Sequence, residues 1–254
     1  MTGAQRPPIL SRALVLVFVA SFGAMTGFYL LLSVVPLYAD SVGAGGIGAG
    51  LVTGALMAAT VAGELAVPRL LARFGYRVVL AAGLVLLGVP ALALPASATM
   101  TVILLVSVVR GLGFAVCVVV GGALVASLVP TERRGEGLGL FGIVVGVPGV
   151  AALPLGVWLV GWAGFPAVFV AGAAAALVAL AVVPGLPGRV PSAEPPVGVL
   201  AGLRTPALIR PAVSFSATAM AAGVVVTFLP LAVTRGPGGL AAPGLLVQAV
   251  GGTL

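Results

Sequence analysis

The sequence predicts an all-α protein that crosses a membrane several times, and three observations predict it. Of its 254 residues, 61% are hydrophobic and only 7% charged, whereas soluble domains carry roughly 25% charged residues. The apolar residues gather into runs long enough for a helix to cross the hydrocarbon core, about 20 residues each. These runs are continuous and lack the period-two alternation of barrel strands. Finally, arginine is sorted by connector. Arg6 and Arg12, then Arg69, Arg73 and Arg77, then Arg133 and Arg134, then Arg189, Arg204 and Arg210 alternate with connectors near 38–46, 96–101 and 162–166 that carry none. Positive charge in short loops is retained on the cytoplasmic side, so the N-terminus and the arginine-bearing connectors are expected to be cytoplasmic. Arg110, inside an apolar run, and Arg235 lie outside this scheme.

Taken in order, the spans fit near 13–38, 47–67, 78–98, 102–128, 137–161 and 166–184, with a seventh near 211–233. The first resembles a signal peptide at its start, where Arg6 and Arg12 precede an apolar stretch. That stretch runs on to about Tyr38, too long for a removed leader, and is expected to stay as an uncleaved span. Residues 185–210 break the rhythm with Pro187, Pro191, Pro195, Pro196, Pro206 and Glu194, the composition of a cytoplasmic linker between two bundles. The expected organisation is a six-helix bundle over 1–184, the linker over 185–210 and the start of a second bundle over 211–254. A repeat supports it: Val35-Pro36-Leu37, Gly45 and Gly50-Leu51 recur at constant offset as Leu229-Pro230-Leu231, Gly239 and Gly244-Leu245. On this reading Leu254 falls inside the second bundle's second helix, and the chain is expected to be incomplete.

Composition also excludes chemistry. Histidine and lysine are absent, which removes imidazole metal ligands, histidine acid–base catalysis and lysine nucleophiles. The single cysteine, Cys117, lies in an apolar run and is expected to be packing. No catalytic residue, metal site or cofactor is expected. The net charge of +7 is accounted for by topology-setting arginines that can meet anionic lipid headgroups, and nucleic acid is not an expected partner.

Two ionisable residues fall within spans. Arg110, in the fourth, would cost about 2.5–3.5 kcal/mol at a bilayer centre, so it should face a cavity or find a partner. Glu64, in the second, is expected either to take part in proton coupling or to pair with Arg69 or Arg73. In the fifth span Gly142 and Gly146, then Pro148 and Gly149, then Pro154 and Gly156 suit close helix approach and kinking.

The stretch Pro68-Arg-Leu-Leu-Ala-Arg-Phe-Gly-Tyr-Arg-Val-Val-Leu80 resembles the signature loop between helices two and three of the major facilitator superfamily, Gly-x-x-x-Asp-Arg-x-Gly-Arg-Arg. Arg73, Gly75 and Arg77 match. Pro68 stands where the family usually has glycine and Ala72 where it has the aspartate of a charge network that latches two bundles together. The Ser107–Phe114 segment is similar to the family's fourth-helix motif, with Arg110 one turn later than the family arginine, at whose place stands Ser107. Gly149 and Pro154 resemble remnants of the fifth-helix antiporter motif, while Leu153, Val157 and Trp158 depart from it. The opening Phe165-Pro166-Ala-Val-Phe169 is similar to sugar- and drug-efflux members.

The resemblance implies a major-facilitator-type fold in a bacterial cell membrane, and secondary transport of a small molecule, efflux-type, with proton coupling open. Substrate would bind between two bundles that rock about it. Arg110 and Glu64 would serve substrate or coupling, and Arg73, Gly75 and Arg77 a gating loop. The alternative is a non-transporting remnant, or a half-protein that pairs with another polypeptide. An enzyme is not expected.

Overall fold

The computed structural model describes residues 10–189, 221 and 223–228. Among them the chain is helical with no strand: α1 (Arg12–Leu32), α2 (Val34–Ala39), a π-turn (Asp40–Ala44), α3 (Gly45–Gly88), a 3-10 segment (Val89–Ala96), α4 (Met100–Leu128), a 3-10 turn (Thr131–Arg133), α5 (Arg134–Val178) and a 3-10 end (Ala179–Gly185). Three continuous helical stretches, Arg12–Ala96, Met100–Leu128 and Thr131–Gly185, are long and apolar enough to cross a membrane.

Two of the three are not single rods. Within α3 the chain reverses at Gly75, with φ 77° and ψ 171°, and within α5 at Gly164, with φ 78° and ψ 170°. That backbone region is essentially restricted to glycine. With the turn around Gly43 and Gly45, which also have positive φ, these reversals divide the described chain into six legs: 12–39, 45–74, 76–96, 100–128, 134–163 and 165–185. They are called the first to sixth spans below.

Close glycine contacts fix how the legs run. Gly27 packs on the Gly172 carbonyl and Gly23 on the Ala175 carbonyl, so the first and sixth spans are antiparallel. Gly83 meets Val116 and Gly113 meets the Leu87 amide, so the third and fourth are antiparallel too. Gly111 lies on Leu56 and Gly63 beside Ala115, which makes the second and fourth parallel. Alternating up-and-down legs result from these pairs.

The core has two layers. One includes Leu14, Val67, Val79, Leu124, Val129 and Leu186. The other includes Val35, Val52, Leu94, Ile103, Val168 and Phe169. The first layer lies towards the end that carries Arg12, Arg69, Arg73, Arg77, Arg133, Arg134 and Arg189; the second lies towards the arginine-free turns. Some of these arginines also close helix ends. Arg134 Nε donates to the Ala126 carbonyl at 3.0 Å near the end of α4, where cations suit the helix dipole and the last unpaired carbonyls.

One boundary expectation is corrected. The connector expected from Pro68 onwards is helical up to Phe74, and the reversal is made at Gly75. Helix is the conformation that satisfies backbone polar groups without outside partners, and it runs on past the apolar stretch until a glycine allows a turn. The expected linker beyond Arg189 and the repeat at 229–245 lie outside the described residues. Of the expected seventh span, Ala221 and 223–228 are described and helical.

Candidate functional site

A seventh helical piece, 223–228, is seated on the bundle and marks one of its faces. Val226 is buried against Leu153, with Tyr29, Leu32 and Val157 around it. Thr227 Oγ1 donates to Thr53 Oγ1 at 3.0 Å, and Phe228 lies over Gly50. The contacted face is therefore built from the first, second and fifth spans, towards their arginine-free halves.

Continued towards the arginine end, that face leads to Glu64. Gly50, Thr53, Met57, Val61 and Glu64 recur at three- and four-residue steps and so share one stripe of the second span. Met57, Val61 and Glu64 are exposed. Glu64 forms no ion pair with Arg69 or Arg73 among the described residues; Arg73 instead lies 5.2 Å over the Phe74 ring. Pro68 stands four residues later and has no N–H to donate to the Glu64 carbonyl. Glu64 thus presents, on one turn, a carboxyl and a carbonyl that lacks its usual helical donor.

On the fifth span Gly139, Gly142, Gly146, Gly149, Leu153 and Val157 form the matching stripe. Among the described residues a Cβ at Gly139, Gly142 or Gly146 would meet nothing within 4 Å, whereas one at Gly149 would rest on the Tyr29 ring. Gly142 and Gly146 thus meet no other described span at that distance. Close approach falls instead to Gly149 and to Gly156, which sits against the Leu30 carbonyl and Val34. Pro148 is buried and Pro154 half-buried within α5. Beside them the Ser33 hydroxyl donates to the Leu153 carbonyl at 3.3 Å, tying the first span to the fifth.

Arg110 finds its partners within the described bundle. It is 1% exposed, held among the first, third and fourth spans where the two core layers meet. Its Nε donates to the Leu87 carbonyl at 3.3 Å, and its Nη2 to the Gly27 carbonyl at 3.3 Å and the Phe28 carbonyl at 3.5 Å. Nη1 is buried with no hydrogen-bond partner among the described residues. A guanidinium with five N–H donors is thus satisfied only in part, by long bonds to carbonyls that already belong to helices. Ser107, at the family's arginine position, is buried and donates to the Ile103 carbonyl at 2.8 Å.

The turn between the second and third spans is fastened to the end of the sixth. The Tyr76 amide donates to the Gly188 carbonyl at 3.0 Å. Arg77 donates to the Leu186 carbonyl through Nε at 3.1 Å and Nη2 at 2.6 Å. A Cβ on Gly75 would collide with the Gly188 carbonyl. Two of the three expected gating residues, Gly75 and Arg77, are therefore joined to the end of the sixth span, whereas the contact of Arg73 is with Phe74. On the neighbouring turn Arg133 pairs with Glu136 at 2.7 Å. Hydrogen bonds from its own backbone and from the Thr131 hydroxyl hold the Glu132 carboxyl below the usual range.

Six legs running alternately up and down, a further helical piece seated on one face and a glycine turn clamped at the arginine end make a helical bundle whose stretches are long and apolar enough to cross a membrane. The chain belongs to the Major Facilitator Superfamily, whose family model matches residues 17–254. No curated protein matches the sequence. Among solved structures it is similar to a D-xylose–proton symporter, with a TM-score of 0.66 and 14% identity over 94% of this chain and 65% of that one. It is similar to a bacterial homologue of the human lysosomal transporter Spinster in an inward-facing, unoccupied conformation, with a TM-score of 0.67 and 18% identity over 98% of this chain and 60% of that one. A peptide transporter crystallised with sulfate gives a TM-score of 0.60 and 18% identity over 87% and 49%. At these identities the likeness is one of fold. The chain spans about half to two thirds of the length of these transporters.

Sequence reasoning missed Tyr29 and Thr53, the side chains through which the first and second spans meet the seventh helix. Nothing in an apolar run singles out one tyrosine or threonine; the Val35–Leu37 repeat, which marked the two bundle starts, was the nearest signal.

Proposed function

We propose that the chain supplies the first bundle of a secondary transporter that exports a small molecule across a bacterial cell membrane by alternating access. The supporting observation is the seating of Val226, Thr227 and Phe228 on the stripes that continue to Glu64 and to the open glycines of the fifth span. Substrate lies between these stripes, towards the arginine end. Glu64 carries the coupling proton, since a carboxyl within a span that has no ion pair among the described residues is a residue retained for function. Arg110 acts from behind the site: its burial with a donor left over costs stability that packing alone would not require. Arg73, Gly75 and Arg77 shape the gate at the cytoplasmic end.

A second reading is a half-protein that pairs with another polypeptide, or a remnant that does not transport. Ala72 in place of the family aspartate favours it, because the usual charged latch between bundles is missing.

Proteoliposomes loaded with a pH-sensitive dye separate the two. The chain by itself is expected to give no flux, since alternating access needs two bundles, so sugars, short peptides and aromatic amphiphiles are added in turn to the chain reconstituted as one polypeptide with a complete second bundle. Saturable proton movement with at least one class is the expected result for the transporter, and Glu64→Gln is expected to reduce that movement roughly tenfold or more, as loss of a general proton carrier does. Unchanged proton movement in Glu64→Gln would reject Glu64 as the coupling group. Flux only when a separate second polypeptide is reconstituted beside the chain would favour the half-protein reading, and no flux from either preparation would favour the remnant.

A further inference from the structure

Trp158 and Trp162 are 56% and 78% exposed, and their rings stack with centroids 6.2 Å apart and planes within 11°. They lie one turn apart on the stripe Leu155–Trp158–Trp162, beside the stripe on which Leu153 and Val157 meet Val226. The chain reverses at Gly164 just beyond them. Large exposed aromatic surface is ordinary in lipid, but an indole also carries an N–H that hydrocarbon cannot satisfy. Depth resolves this. At 1.5 Å rise per residue, Trp158 and Trp162 lie roughly 36 and 42 Å along α5 from Arg134. A bilayer is about 30 Å thick across its hydrocarbon and about 40–45 Å with its headgroups. With Arg134 at one headgroup level, Trp158 comes to the far edge of the hydrocarbon and Trp162 into the far headgroup layer.

The geometry points to a stacked indole anchor that binds the lipid headgroup–acyl boundary in the leaflet away from the arginine turns. The rings cover acyl chain ends, and the indole N–H groups donate to ester or phosphate oxygens. The anchor holds the fifth–sixth span reversal at a set depth while the opposite end is held by arginines. It is independent of what the bundle transports.

The two tryptophans are the only ones in the chain, so intrinsic tryptophan fluorescence reports this pair alone. The full chain is reconstituted in phosphatidylcholine brominated either near the carbonyls or near the chain ends. Quenching is expected to be roughly twofold stronger with the shallow bromines, as for residues of an interfacial aromatic belt, and each single variant, W158F and W162F, should keep that order. Equal or stronger quenching by the deep bromines would overturn the proposal by placing the pair within hydrocarbon. Absence of lipid quenching, with or without quenching by aqueous iodide, would overturn it by showing a pair covered by protein or standing in water.

Discussion

Gly75→Ala is expected to destabilise the bundle more than any other single methyl added at a turn. The backbone conformation at Gly75 costs a residue with a Cβ on the order of 1–3 kcal/mol, and the new methyl would collide with the Gly188 carbonyl. Relief requires the turn to leave the sixth span, with loss of the Tyr76–Gly188 and Arg77–Leu186 bonds. Gly164→Ala is the control. It has nearly the same dihedral angles, but among the described residues its Cβ would meet only Pro166 Cδ at 3.7 Å. Thermal unfolding in detergent, followed by size-exclusion recovery, should show both variants weakened and Gly75→Ala clearly the worse. Equal losses would mean that the clamp on the sixth span contributes nothing beyond backbone strain.

Arg110→Met is expected to leave the bundle as stable as the parent, or more so, while abolishing transport. Replacing a buried, incompletely bonded charge by an apolar side chain of similar length is often neutral or stabilising by about 1–4 kcal/mol. Arg110→Ala, by contrast, leaves a cavity among three spans and should cost about 2–5 kcal/mol, as large-to-small core changes do. The pair of variants separates packing from function, read by thermal midpoint and by proton-linked flux. If Arg110→Met unfolds as readily as Arg110→Ala, the bonds to Gly27, Phe28 and Leu87 are structural and the coupling role falls.

Much of this architecture was legible because membrane insertion writes it into the sequence. The arginine groups stand at one end of the bundle because each even-numbered leg ends there and each odd-numbered leg begins there. Gly75 was legible from its spacing to Arg73 and Arg77. The direction in which a residue points within a span was not. In a soluble helix the apolar stripe marks the core, but here lipid-facing and core-facing positions are both apolar. Periodicity therefore could not show that Arg110 turns inward, that Gly149 and Gly156 pack on the first span, or that the stripe from Thr53 to Glu64 is the one that meets the helical piece at 223–228. The extension of helix through Pro68 to Phe74 was hidden for a related reason. Arginines and a proline look like a loop, although a helix leaving the bilayer tolerates both.

Transport as proposed requires the arginine end of the bundle to face the cytoplasm. Its orientation can be measured by single-cysteine labelling in a Cys117→Ala background, since Cys117 is buried in the core. Cysteines are placed at Ser97 and Ala163, by the arginine-free turns, and at Gly135, beside Arg133 and Arg134. A membrane-impermeant maleimide added to intact cells should modify the first two, and should reach Gly135→Cys only after permeabilisation. Modification of Gly135→Cys in intact cells, with Ser97→Cys and Ala163→Cys protected, would contradict this orientation by inverting the bundle.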